Sequence, residues 1–183
     1  MKKLAVLILL ALEVAVAGCG NGPPTNTTTT ATTGNWEAQL IGGKGEASEL
    51  DFVTAFNVTS DNTNEPLDIT GFGFINNGSC FEPGLDNENL SGTATLSTAS
   101  TGQVTGTVNF QVQSIAPPGN TLTLTGNLTG TSNGTTTTTG TLTNGLVQGT
   151  WSLAGGAGDP SCTGGGTFLM CQTPGVNGLC VAP

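Results

Sequence analysis

The sequence predicts an all-β body, an antiparallel up-and-down meander barrel of about 8–10 strands, with a two-sheet β-sandwich as the alternative. Three observations carry this expectation. Apolar and polar residues alternate with a period of two through most of the chain after residue 35, while helical periodicity is nearly absent there. A Gly-Thr-x signature recurs at Gly92, Gly106, Gly140, Gly149 and Gly166, with Gly126-Asn127-Leu128 as a variant, at intervals of 9 to 20 residues. Such irregular spacing speaks against the fixed rungs of a solenoid and for hairpins of unequal length. Finally, 29 glycines let strands bend tightly, as a small closed sheet requires, and closure removes aggregation-prone edges.

The first element is not part of that body. Lys2 and Lys3 precede an apolar run from Leu4 to Ala17, which ends in Val16-Ala17-Gly18-Cys19. This is a secretory signal pattern, and its last four residues resemble the lipobox of bacterial lipoproteins. The resemblance implies cleavage before Cys19 and acylation of that cysteine, so residues 1–18 are expected to be a signal peptide and the bacterial membrane a partner through lipid on Cys19. Two acyl chains already give stable attachment at about 0.8 kcal/mol per buried methylene. The run is interrupted by Glu13 and is shorter than the roughly 20 residues a membrane-spanning helix needs. Gly20 rather than aspartate follows the cysteine, which in enteric-type bacteria implies sorting to the outer membrane.

Residues 19–35 are mostly Thr, Asn, Gly and Pro, without aromatics or charge until Trp36. They read as a flexible tether to a single β domain spanning 36–183. Within that domain the expected strands are Trp36–Ile41, Leu50–Val58, Leu67–Ile75, Thr93–Thr98, Val104–Val112, Leu122–Leu128, Val147–Leu153 and Phe168–Met170. Val104, Val108, Phe110 and Val112 share one parity, and Thr105, Thr107, Asn109 and Gln111 the other, as in a strand with one buried and one wet face.

Composition narrows the chemistry. The chain has no His, Tyr or Arg, which excludes histidine bases, histidine-ligated metals and arginine phosphate clamps. Without residues 1–18, Lys44 is the only base against eleven acids, a net charge of −10, so nucleic acid is excluded as a partner. Residues 89–158 carry no charge at all. Once Cys19 is assigned to lipid, Cys80, Cys162, Cys171 and Cys180 remain, an even number in an exported chain. Of the three pairings, Cys80–Cys162 and Cys171–Cys180 are favoured. Zinc is not expected, since there is neither a Cys-x-x-Cys pair nor a histidine.

Gly34-Asn35-Trp36 resembles the Gly-x-Trp entry of lipocalins, barrels that hold apolar ligands. The resemblance implies an apolar ligand in the barrel, and Trp36 and Trp151 are the candidate ligand-lining side chains; the arginine that lipocalins pack on that tryptophan is missing. Asp61–Glu65 and Asp86–Asn89 collect oxygen ligands but lack EF-hand spacing and read as polar turns, so no metal and no cofactor is expected. Glu46, Glu49, Asp51, Glu65, Asp68, Glu82, Asp86 and Glu88 are the acids available to a carboxylate-dependent glycan hydrolase, but no spacing singles out a catalytic pair. The expectation is therefore a non-enzymatic, extracytoplasmic lipoprotein of the cell envelope. Its β body would bind an apolar ligand or an envelope protein; a glycan hydrolase and a passive surface protein are the alternatives.

Overall fold

The computed structural model describes residues 30–32, 34–42, 50–82, 87–116, 119–132, 140–157 and 159–173. These form ten strands: β1 (Thr30–Thr32), β2 (Asn35–Ile41), β3 (Asp51–Ser60), β4 (Asn64–Pro66), β5 (Asp68–Asn76), β6 (Glu88–Thr98), β7 (Gln103–Ser114), β8 (Thr121–Ser132), β9 (Gly140–Ala154) and β10 (Gly164–Thr173). All eight expected strands are present. Most run a few residues longer than the apolar alternation alone indicates.

Nine strands make one antiparallel sheet in the order β5-β3-β2-β10-β9-β8-β7-β6-β4, curled into a half-barrel rather than split into a sandwich. Its two edge strands, β4 and β5, are consecutive in sequence and separated only by Leu67, whose N–H donates to the Gly92 carbonyl at 3.0 Å. The chain thus leaves β6 at Pro66 and takes up β3 at Asp68. Gly92 permits this hand-over, because a Cβ there would stand 2.6 Å from Asn109 O and 2.7 Å from Leu67 Cδ1. With β4 and β5 counted as one broken strand, every sheet neighbour is a sequence neighbour except where β10 meets β2, which is a meander. β1 adds to one end, antiparallel to the last residues of β3 and parallel to the first of β9.

Alternation explains the interior. On β7, Val104, Val108, Phe110 and Val112 are buried while Thr105, Thr107, Asn109 and Gln111 are exposed. Phe52 of β3 stacks on Phe110 of β7 at 5.6 Å between centroids and lies 5.2 Å from Phe72, so aromatic rings from well-separated strands meet inside the curl. Each fully buried large apolar side chain contributes about 1.5–3 kcal/mol. The Gly-Thr signature finds its reason here too: Gly126 is paired with Gly149 and Gly149 with Phe168, and a Cβ on Gly126 would lie 2.8 Å from the Phe168 ring. Phe168 fills the space that the glycines vacate.

The end of the half-barrel opposite β1 is pinned by the Cys80–Cys162 disulfide, which joins positions 82 residues apart. Beside it the Asn120 side chain is buried. Its Nδ2 donates to Cys80 O (2.7 Å) and Asp159 Oδ2 (3.3 Å), and its Oδ1 accepts from Gly156 N (2.9 Å). One amide thereby ties three connections together, with its polar atoms satisfied as burial demands.

Candidate functional site

Both tryptophans point into the core. Trp36 is fully buried, stacked on Phe56 at 5.2 Å, and its indole N–H has no hydrogen-bond partner among the described residues. Trp151 is 3% exposed and its Nε1 donates to Ile41 O at 3.4 Å. They do not meet: through β10 they register with Gln172 and Gly166, six residues or about 20 Å apart along the strand. Each acts as a plug in its own part of the interior.

Cys80–Cys162 is the pairing favoured from sequence. Cys171 is also disulfide-bonded, while Cys180 and the lipidation candidate Cys19 lie outside the described residues. The carboxylates are dispersed, and Glu46, Glu49 and Asp86 lie outside the described residues. Thr63 Oγ1 lies 3.0 Å from Asp61 Oδ1 and 2.7 Å from Glu65 Oε1, and Asn57 Nδ2 donates to Asp68 at 3.4 Å, which is the chemistry of polar turns and strand edges. Burial raises the pKa of Glu37, and the nearby Asp51 charge adds to it; Asp51 itself is raised by burial, partly offset by the Leu40 N–H. Glu88 is raised by burial and by the charge of Glu82, and both of its oxygens are buried without a hydrogen-bond partner among the described residues. Asp159 is held below the ordinary carboxylate range by hydrogen bonds, that from Ser161 foremost. Among the described residues, no three His, Cys, Asp or Glu side chains gather where they could hold a metal. Nor is any helix there long and apolar enough to cross a membrane.

The outer wall of β6, β7 and β8 holds a different feature. A shallow, open hollow of about 410 Å³ is lined by Ser91 and Thr93 of β6, Asn109 and Gln111 of β7, and Thr123 of β8. Register builds it: Ser91 pairs with Gln111 and Gln111 with Thr123, while Thr93 pairs with Asn109. Gly92 and Phe110, which also line it, belong to the opposite parity, and Phe110 is buried in the core. Ser91 Oγ donates to Gln111 Oε1 at 3.4 Å. The side chains of Thr93, Asn109 and Thr123 make no hydrogen bond among the described residues, so their donors and acceptors are unspent. No ionisable residue lies on β7, β8 or β9.

Sequence parity identifies these residues as outward-facing but does not reveal that they surround a hollow. That depends on the curl and on Gly92, where β4 turns away. Comparison of the chain with family models, with curated proteins and with solved structures gives no match in any of the three.

Proposed function

We propose that the chain is a lipid-anchored protein of the bacterial envelope whose β body serves as a non-catalytic interaction module. The observation that carries this reading is Val16-Ala17-Gly18-Cys19 behind Lys2, Lys3 and an apolar run. The Cys80–Cys162 disulfide is compatible with an extracytoplasmic location. Gly20 after the cysteine supports the outer membrane as the destination.

The anchor also limits how far the body can stand from the membrane. Ten residues separate Cys19 from Thr30, a reach of at most about 40 Å. β1 pairs with the last residues of β3 and the first of β9, so the chain from Cys19 enters the half-barrel at the end opposite the disulfide, Asn120 and Asp159. The described interior is filled by aromatic and aliphatic side chains, which favours binding on the outer surface over an interior apolar ligand.

Expression in a bacterial host fed radiolabelled palmitate, followed by membrane fractionation, tests this reading. Wild-type protein is expected in the membrane fraction, released only by detergent. Cys19→Ala is expected to take up no fatty-acid label and to keep its signal peptide. Equal labelling of the two proteins, or no label on the wild type, would overturn the proposal.

A further inference from the structure

We infer that residues 174–183 form a strap across the outer face of β2 and β10, clasped there by a Cys171–Cys180 disulfide. The burial of this face points to a cover. Trp36, Ala38 and Leu40 on β2 and Phe168 and Met170 on β10 belong to the core, so Glu37, Gln39, Leu169 and Cys171 have the outward parity. Yet Glu37 is only 4% exposed and Leu169 only 6%. Outward neighbours on the same wall are open: Val53, paired with Glu37, is 43% exposed, and Gln148, paired with Leu169, and Thr167, the preceding outward residue of β10, are also exposed. A bare sheet face does not bury a leucine and a carboxylate while leaving the residues around them in water. The cover is therefore narrow and lies where β2 and β10 meet.

Connectivity identifies it. Cys171 pairs with Glu37 in this patch and is disulfide-bonded; with Cys80 joined to Cys162, its partner within the chain is Cys19 or Cys180. β10 ends at Thr173, two residues past Cys171, so the segment that holds Cys180 starts at the patch itself. Pro174-Gly175 and Asn177-Gly178 are turn dipeptides. They let the chain reverse and bring Cys180 back to within the roughly 4.4–6.8 Å between Cα atoms that a disulfide needs. Past the clasp, Val181 runs back toward Leu169.

Composition agrees. Of the stretches after Cys19 that lie outside the described residues, 174–183 alone combines absence of charge with several large apolar side chains, Val176, Leu179 and Val181. Residues 43–49, the connection from β2 to β3, carry Lys44, Glu46 and Glu49 and no apolar side chain larger than that of Ala47. Shielding Leu169 takes apolar side chains, and further acids over Glu37, which already feels the Asp51 charge, would be repelled. The clasp leaves the Cys19 thiol free, as acylation requires, so the inference is compatible with the anchored-module reading without resting on it.

Two measurements test it. Peptic digestion of the purified, unreduced protein at acid pH, where thiolates are too few for disulfide exchange, should give by mass spectrometry a Cys171 peptide joined to a Cys180 peptide. A bond from Cys171 to any other cysteine, or a free Cys171 thiol, would overturn the inference. Carbodiimide coupling of glycine ethyl ester to accessible carboxylates reads the cover itself. In the full chain Glu37 should resist labelling while the exposed Asp61 and Asp68 take it up. In a Cys171→Ser chain that stops at Thr173, Glu37 should lose this protection, while Glu88, whose oxygens are buried on β6, keeps its own and so reports an intact fold. Should the truncated chain unfold, Leu179→Asp with Val181→Asp, Cys171→Ser and Cys180→Ser frees the strap at full length and is held to the same outcomes. Glu37 labelled like Asp68 in the full chain, or still protected once the strap is removed or freed, would also overturn the inference.

Discussion

Replacing Cys80 and Cys162 together with alanine removes the covalent link at the end of the half-barrel opposite β1. The bridged positions are 82 residues apart, and on the chain-entropy account a loop of that length costs the folded protein about 4.5 kcal/mol when it is opened. This is a large part of the roughly 5–15 kcal/mol that holds a typical domain together. At about 2–4 °C per kcal/mol for a body of this size, the melting temperature should fall by roughly 10–15 °C. Urea unfolding followed by tryptophan fluorescence is a suitable assay, since Trp36 and Trp151 are both buried in the native state. Mutation is preferable to a reductant because Cys171 is also disulfide-bonded. The unfolded chain should expand when the link is gone, so the urea slope should rise as the midpoint falls. A loss below about 1 kcal/mol, or a large loss with no change in slope, would refute the reasoning: the first by showing that the link contributes little, the second by placing its effect in the folded state.

Three further substitutions probe other parts of the structure. Asn120→Ala leaves the Cys80 carbonyl and the Gly156 N–H without their partner and should cost about 2–4 kcal/mol in urea unfolding, whereas a cost near zero would mean the amide ties nothing together. Gly149→Ala drives a methyl into the Thr125 carbonyl and the Gly126 backbone and should cost about 2–3 kcal/mol; unchanged stability would contradict the tight curl. For Glu88 the sign follows from its raised folded pKa: the folded state holds a proton that the unfolded state releases. Its contribution is fully present below the ordinary glutamate value of 4.5 and is lost as pH rises through the folded one. Glu88→Gln, which cannot ionise, should therefore be more stable than wild type at pH 7 and equal to it near pH 4 in parallel thermal melts; the reverse order would place Glu88 in a favourable ionic environment.

The strands were legible because their physics is local. The alternation of Val104, Val108, Phe110 and Val112 with polar neighbours marks β7 without knowledge of anything it packs against. Counting cysteines in an exported chain gives two disulfides and leaves three pairings, of which the favoured one contains the observed Cys80–Cys162 bond. β4 was missed because Asn64-Glu65-Pro66 has the composition of a turn; Pro66 has no N–H to offer, and the strand pairs only with β6 in a three-residue contact. β1 was missed because Thr30-Ala31-Thr32 lies in a threonine tract without apolar periodicity and becomes a strand only where the ends of β3 and β9 meet. Asn120 carried no signal, since its role arises from chain segments some 40 residues away on either side. The outer hollow was hidden for the same reason: parity orients Thr93, Asn109 and Thr123, but only the tertiary curl brings them around a shared space.

Attachment at Cys19 is the claim on which compartment and role converge, and the intact mass of the protein purified from bacterial membranes addresses it most directly. The account predicts a chain that begins at Cys19 and is heavier than its polypeptide by two or three acyl chains and their glyceryl linker. A mass that matches the unmodified polypeptide, whether it begins at Met1 or at Cys19, would contradict it.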